Sequence, residues 1–88
     1  MHLVVLLQHH FLDGLETRVV ALLQPIREAP MPLLEDLHIR VDFDGSEHVL
    51  RVDQLATLRA RELGPRLGSL EPWRYEIRRA LDRLWDGL

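Results

Sequence analysis

The side chains with metal-binding chemistry are few, and their spacing matches no familiar metal site. The chain has five histidines and no cysteine. Neighbouring residues of a strand point to opposite faces, so His9 and His10 are poorly placed to share one ion. Neither HExxH nor any Cys/His spacing typical of zinc occurs. We therefore predict no metal and no cofactor, with His48 partly buried and the other histidines, including His38, in solvent.

The serines and adjacent carboxylates occupy positions that are typical of turns, helix caps and loops. Ser46 follows a DG turn and Ser69 precedes the C-terminal helix, two positions that favour serine for local hydrogen bonding. The adjacent acids Glu35 and Asp36 are typical of a solvated loop. No GxSxG elbow and no glycine-rich phosphate loop is present. The sequence thus predicts no catalytic residue, and a protein that is not an enzyme.

Charge and length narrow the class of protein further. The 88 residues carry 14 acidic and 11 basic side chains, all of the latter arginine, for a net charge of −3. A nucleic-acid coat or a binder of anionic membranes uses a positive field, so both are disfavoured as direct partners. One domain of this size buries only about 60–65% of its unfolded surface, and an oligomer would stabilise it.

The N-terminal apolar run is too short to direct the chain to a membrane. Leu3 to Leu7 has no basic residues before it and gives way to Gln8 after five residues. A signal peptide needs about 7–15 apolar residues and a membrane helix about 20. We therefore expect a soluble cytoplasmic protein.

Two apolar runs and a proline-rich stretch organise the first half of the chain. His2–Leu7 is rich in valine and leucine and predicts a buried strand, and Thr17–Leu23 predicts its antiparallel partner. Pro25–Leu34 contains three prolines, which favours a surface loop.

The clearest local pattern is a hairpin over Leu37–Val52. Apolar and polar residues alternate from Leu37 to Asp44, and Asp44-Gly45 is the signature of a type I′ turn. A two-residue loop places Val41 opposite His48, whereas a four-residue loop shifts each pair by two and keeps the same faces inward. Because Asp42 would oppose Glu47 in the tighter register, that like-charge pair favours the longer loop. In both registers His38 and His48 lie on opposite faces.

The C-terminal part predicts a weak strand or turn region followed by a helix. Leu55–Leu63 has little periodicity, whereas residues 72–85 place apolar side chains at helical spacing. That stripe consists of Trp73, Ile77, Ala80, Leu81, Leu84 and Leu88. A chain end is normally poorly ordered, so a tryptophan placed there is expected to make a specific contact. Trp85 and Leu88 either pack back on the sheet or, with Leu84, form a self-associating or partner-binding patch.

The order of these motifs resembles the CcdB family of toxins from toxin–antitoxin systems. The matching segments are QHHFLDGLETRVVALL at 8–23, LHIRVDFDGSEHVLRVDQL at 37–55, LG and LGSL at 63–70, and the ending IRRALDRLWDGL. The resemblance covers nearly the whole chain as a single domain, 1–88. It implies a mainly β (α+β) fold, a small SH3-like antiparallel barrel or sheet of the CcdB/MazF type with one C-terminal helix at 72–85.

The resemblance also implies partners and a mode of action. Family members form two-fold homodimers, bind the DNA gyrase A subunit and trap its cleaved-DNA complex. A CcdA-like antitoxin neutralises them by folding a disordered C-terminal segment onto the toxin. Carried over by motif, the gyrase-binding residues are Phe11, Leu12, Asp82, Asp86, Gly87 and Leu88, and the dimer interface is formed by Leu84, Trp85 and Leu88.

Two departures from the family pattern leave alternatives open. The family has tryptophan directly before the final Gly-apolar pair, where this chain has Asp86 and carries Trp85 one position earlier. The family's first strand is also absent, which predicts an open sheet edge. The alternatives are a non-toxic relative that only binds antitoxin, and a MazF-like endoribonuclease on the same fold.

Overall fold

A computed structural model describes residues 3–7 and 16–87. Four antiparallel strands form one sheet in the order β1-β2-β4-β3, and an α-helix follows them. The strands are β1 (Leu3–Leu6), β2 (Thr17–Pro25), β3 (His38–Phe43) and β4 (Ser46–Arg59), and the helix is α1 (Arg74–Asp86). The predicted α+β class, an antiparallel sheet with one C-terminal helix, is confirmed for the part of the chain described.

The first two predicted strands pair as expected. β1 and β2 are antiparallel with Leu3 opposite Leu23. β2 continues to Pro25, beyond its predicted end, and a 3₁₀ turn at Ile26–Glu28 opens the connection to β3. The proline-rich stretch is therefore a connecting segment, as predicted.

β4 is much longer than the sequence predicts. The supposed weak region from Leu55 continues the strand to Arg59, and the 3₁₀ turn Ala60–Glu62 follows. Pairing with the first half of β2, from Thr17 opposite Arg59 to Ala21 opposite Leu55, overrides the weak local pattern. Since strand preference depends on cross-strand neighbours, such pairing is hard to detect in one segment alone.

A bulge interrupts the pairing of β2 with β4. Ala21 lies opposite Leu55, but the next residue, Leu22, lies opposite Arg51. The three β4 residues between them, 52–54, have no partner on β2. A bulge of this kind bends a strand and redirects its side chains. Asp53 lies within it.

The hairpin closes through the tighter of its two possible loops. The φ angles of Asp44 and Gly45 are 53° and 79°, and a type I′ turn requires positive values at both positions. Val41 lies opposite His48. The preference for the longer loop was wrong. Glu47 opposes Asp42 but reaches Arg40, with 3.7 Å between Oε2 and the guanidinium Nη1, which relieves the like-charge pair.

Replacement of Gly45 tests the turn. A Cβ is strained at the φ of 79° that Gly45 adopts. We therefore expect Gly45→Ala to lower the free energy of unfolding by about 1–2 kcal/mol. Urea denaturation followed by tryptophan fluorescence measures the loss.

Gly64→Ala is the matched control for this substitution. Apart from its two chain neighbours, no described residue has an atom within 4 Å of the Cβ that this substitution adds. We expect its free energy of unfolding to change by less than about 0.5 kcal/mol. Equal losses in the two variants would contradict the turn assignment.

α1 packs its apolar stripe on one face of the sheet, as predicted. A 3₁₀ turn at Glu71–Trp73 leads into the helix and contains Pro72. Ala80 is buried, and Trp73, Ile77, Leu81 and Leu84 pack against the same core. Its strand residues are Ala21, Leu23, Ile39, Val41, Leu50 and Val52. No helix in the described part of the chain is long and apolar enough to cross a membrane.

Candidate functional site

The C-terminal end of α1 lies beside the segment 33–37, which leads into β3. Arg83 of the helix pairs with Asp36 of the segment, with 3.2 Å between Nε and Oδ2. An open depression at this point is lined by Leu34, Glu35, Asp36, Leu37, Arg83, Leu84 and Gly87. The leucines supply apolar surface, and the Asp36–Arg83 pair crosses its rim. The depression is open to solvent and is not an enclosed cavity.

A second shallow groove, of about 560 Å³, separates α1 from β3. It is lined by Glu35, Asp36, His38, Ile39, Arg40, Glu76, Arg79, Ala80, Asp82, Arg83 and Asp86. Five of these side chains are acidic and three are arginines, so carboxylates outnumber guanidinium groups. The helix end thus offers an apolar depression next to a charged groove.

The structure brings four of the residues proposed for binding to these two surfaces. Asp82 and Asp86 line the charged groove, and Leu84 and Gly87 line the apolar depression. Leu84 also packs against the protomer's own core. Phe11, Leu12 and Leu88 lie outside the described residues.

Trp85 projects from the other flank of the helix end. Successive helical residues are about 100° apart around the axis, so Trp85 lies about 100° from Asp86 and away from the groove. Its residue exposure is 77%. Of the two sequence interpretations, packing back on the sheet is therefore wrong for Trp85 in the single protomer. Because tryptophan is enriched at protein interfaces, this exposed ring is a candidate partner contact.

A buried polar network holds the segment 33–37 in place. The His38 ring has a side-chain exposure of 2%. Its Nδ1 accepts a hydrogen bond from the Leu34 amide at 2.9 Å, and the Leu34 carbonyl oxygen accepts one from the His38 amide at 2.7 Å. Because Nδ1 accepts, Nε2 carries the proton, and it donates to Oδ1 of Asp53 at 3.0 Å. Both ring nitrogens of His38 make hydrogen bonds, so this side chain positions the segment 33–37.

Arg51 and Gln24 complete the network. Arg51 donates to Asp53 through Nε at 3.1 Å and Nη2 at 2.9 Å, a bidentate pair. Its Nη1 donates to Gln24 at 3.2 Å. The hydrogen bond from Arg51 holds the pKa of Asp53 below its usual range, and His38 lowers it further. Asp53 in turn raises the pKa of Arg51. The bulge in β4 places Asp53 where it reaches both partners.

The prediction for His38 was wrong, and the network residues were missed. A polar residue on the outer face of a hairpin is normally solvated, but here the segment 33–37 bonds to the ring. The register offered a partial signal, since His38 opposes Arg51 and Asp53 stands two residues further on. The contact with Gln24 depends on the β2–β4 register, which the sequence does not show. His48 is buried, in line with the prediction.

The helix end combines an open surface with a buried polar pair. Among residues 3–7 and 16–87, no three His, Cys, Asp or Glu side chains converge as metal ligands. At the helix end Arg83 pairs with Asp36, both side chains being exposed, and the His38–Asp53 pair is largely buried. The surface at the helix end thus carries charged side chains and the exposed ring of Trp85.

A protein-family model matches almost the full length of the chain. The family model described as "CcdB protein" matches residues 1–87. None of the curated proteins matches the chain.

Proposed function

The chain belongs to the CcdB family of toxins from toxin–antitoxin systems, and on that basis we propose that it binds the A subunit of DNA gyrase with the C-terminal end of α1. Asp82, Asp86 and Gly87 lie at that end, and Phe11, Leu12 and Leu88 belong to the same proposed contact. Gyrase stalls on cleaved DNA when the toxin binds. The observation that carries the proposal is the exposure of Trp85, 77%, at the end of the helix in a member of this family.

A surface of this kind explains inhibition without catalysis. Tryptophan is the side chain most enriched among interface residues that dominate binding free energy. The apolar depression beside Leu84 and Gly87 gives room for a partner side chain. The network below it fixes the segment 33–37, so the surface is formed before the partner arrives and little ordering free energy is lost.

The proposal includes three further elements. A CcdA-like antitoxin with a disordered C-terminal segment folds onto the toxin and competes with gyrase for the helix end. The toxin works as a homodimer, since a two-fold gyrase complex presents two equivalent binding sites to a symmetric ligand. Both partners are cytoplasmic, and so is the toxin.

Titration of the purified chain into the gyrase A subunit tests the proposal. We expect saturable binding in calorimetry and competition by an antitoxin C-terminal peptide. Absence of binding to the A subunit would reject the gyrase target. Incubation with labelled RNA addresses the endoribonuclease alternative, for which specific cleavage abolished by an arginine substitution would be the result that overturns our choice.

The aspartate that departs from the family pattern gives a gain-of-affinity prediction. We expect Asp86→Trp to strengthen binding to the A subunit about tenfold or more, because it restores the aromatic residue that the family carries there and removes a charge from a contact surface. Asp86→Asn, which removes only the charge, is the matched control and separates the two contributions. Equal or weaker binding by Asp86→Trp would show that position 86 does not contact gyrase.

A further inference from the structure

The His38 ring closes the turn that the segment 33–37 makes before β3. The Leu34 carbonyl oxygen accepts two backbone hydrogen bonds, one from the Leu37 amide at 3.0 Å and one from the His38 amide at 2.7 Å. The amide of Leu34 itself donates to a side chain, Nδ1 of His38, at 2.9 Å. The start of the turn is therefore fixed by an imidazole nitrogen, a group whose hydrogen bonding changes with pH.

The two contacts of the His38 ring admit one protonation state. A backbone N–H can only donate, so the Nδ1 that faces Leu34 must be without a proton. A carboxylate only accepts, so the Nε2 that faces Asp53 must carry one. The neutral ring with its proton on Nε2 satisfies both partners. The imidazolium has two N–H donors, and neither of its nitrogens can accept the hydrogen bond from Leu34.

Protonation of the ring strengthens one contact and removes the other. The hydrogen bond from Arg51 holds the pKa of Asp53 below its usual range, so this carboxylate is charged between pH 5 and 8, where an imidazole ordinarily titrates. The imidazolium then bonds to Asp53 with a charge on both sides, which strengthens the contact. At Nδ1, in contrast, two N–H groups face each other. The ring therefore stays on Asp53, and the backbone at Leu34 has to move.

The remaining contacts of the segment hold its end near β3 but not its middle. The Leu37 carbonyl oxygen accepts a hydrogen bond from the Val52 amide at 2.9 Å, which ties that end to β4. Asp36 pairs with Arg83 of α1, but both side chains are exposed. Exposed ion pairs contribute little to stability. Residues 34–36 consequently depend on the imidazole for their position.

We propose that protonation of His38 releases residues 34–36 and opens the apolar depression at the end of α1. Leu34 and Asp36 line that depression, so its shape changes with the charge of a ring that lies beneath it. This pH-sensitive switch goes beyond the function proposed above and does not rest on it. Its test uses the free chain, so a failure to bind gyrase leaves it standing, and its own failure leaves the gyrase proposal standing.

Charged groups surround His38 on every element packed near it. Asp53 and Arg51 of β4 form the network with the ring. The groove that His38 lines adds Arg40 of β3, Glu35 and Asp36 of the segment, and Glu76, Arg79, Asp82, Arg83 and Asp86 of α1. Imidazole is the one side-chain type among these that ordinarily titrates between pH 5 and 8. A change of the segment over this range is therefore assigned to His38.

An NMR titration of the wild-type chain from about pH 8 to pH 5 tests the switch. We expect the ring signals of His38 and the amide signal of Leu34 to titrate with one midpoint. The hydrogen-exchange protection factor of the Leu34 amide should fall about tenfold or more as the ring is protonated, while the Val52 amide keeps its protection. A ring that stays neutral throughout, or one that titrates while Leu34 keeps its protection, would overturn the proposal.

Two substitutions of the ring separate its two hydrogen bonds. His38→Asn keeps an oxygen acceptor near the position of Nδ1 and does not titrate, so we expect the Leu34 amide to stay protected across the pH range. His38→Gln keeps an N–H donor for Asp53 but no acceptor for Leu34, and we expect low protection at every pH. The same pH dependence in His38→Asn as in the wild type would contradict the switch, as would full protection of Leu34 in His38→Gln. The wild-type titration decides the question even where a variant does not fold.

Discussion

We expect Trp85→Ala to lower the affinity of the chain for the gyrase A subunit by about 30-fold or more. The substitution removes the largest exposed ring at the helix end, and buried tryptophan anchors at interfaces are worth about 2 kcal/mol or more. Because Trp85 is 77% exposed in the protomer, its removal leaves no cavity in the core. Calorimetric titration measures the affinity, and thermal unfolding of the variant should match the wild type.

Tyr75→Ala is the matched control for Trp85→Ala. Tyr75 is an aromatic residue of the same helix with similar exposure, 70%, but it lies ten residues away near the start of α1. Arg79 stacks over its ring at 5.9 Å, an exposed contact with a small effect on stability. We expect its affinity for gyrase to stay within about twofold. If Trp85→Ala loses dimerisation but keeps its affinity for gyrase, Trp85 is a dimer contact instead.

We expect Asp53→Ala to lower the free energy of unfolding by about 3 kcal/mol. The substitution leaves the buried Nε2–H of His38 without its acceptor and takes the bidentate partner from Arg51. The segment 33–37 loses its anchor at the same time, so binding at the helix end should weaken as well. Urea denaturation measures the loss, and Asp82→Asn, an exposed carboxylate on α1, should change stability by less than about 0.5 kcal/mol.

The lowered pKa of Asp53 also predicts how stability depends on pH. Since the hydrogen bond from Arg51 favours the carboxylate in the folded state, the stabilisation is complete above the ordinary carboxyl pKa of about 4. It is lost as the pH falls from there through the lower pKa of the folded protein. Asp53→Asn should therefore lose less stability than the wild type over this acid range. An identical acid dependence in both proteins would contradict the role of the network.

The sequence predicts the local elements of this fold well and the distant pairings poorly. The hairpin has a turn signature and strict alternation, and α1 has an apolar stripe, so both are visible in short segments. The second half of β4 is not visible in a short segment, because its pairing with β2 begins beyond a bulge of three residues. The preference for the longer loop considered only directly opposed residues. It therefore omitted the diagonal contact between Glu47 and Arg40 that accompanies the tighter loop.

The candidate site shows the same division between local and distant information. The sequence leaves open whether Trp85 is exposed or packs back on the sheet, but the carboxylates of Asp82 and Asp86 are read directly from the helix. The network that supports the segment 33–37 cannot be read from the sequence in this way, because it joins residues from β2, β3 and β4. A buried histidine on the polar face of a strand becomes evident only when the segment that covers it is known.

Trapping of cleaved DNA in a purified gyrase reaction tests most directly whether this toxin works through contact. The reaction contains gyrase, supercoiled plasmid, ATP and the chain, and linear DNA is measured after detergent and protease treatment. We expect linear DNA to accumulate with the wild-type chain, more of it with Asp86→Trp, and little with Trp85→Ala. The account is contradicted if neither the wild type nor Asp86→Trp binds the A subunit or traps cleaved DNA.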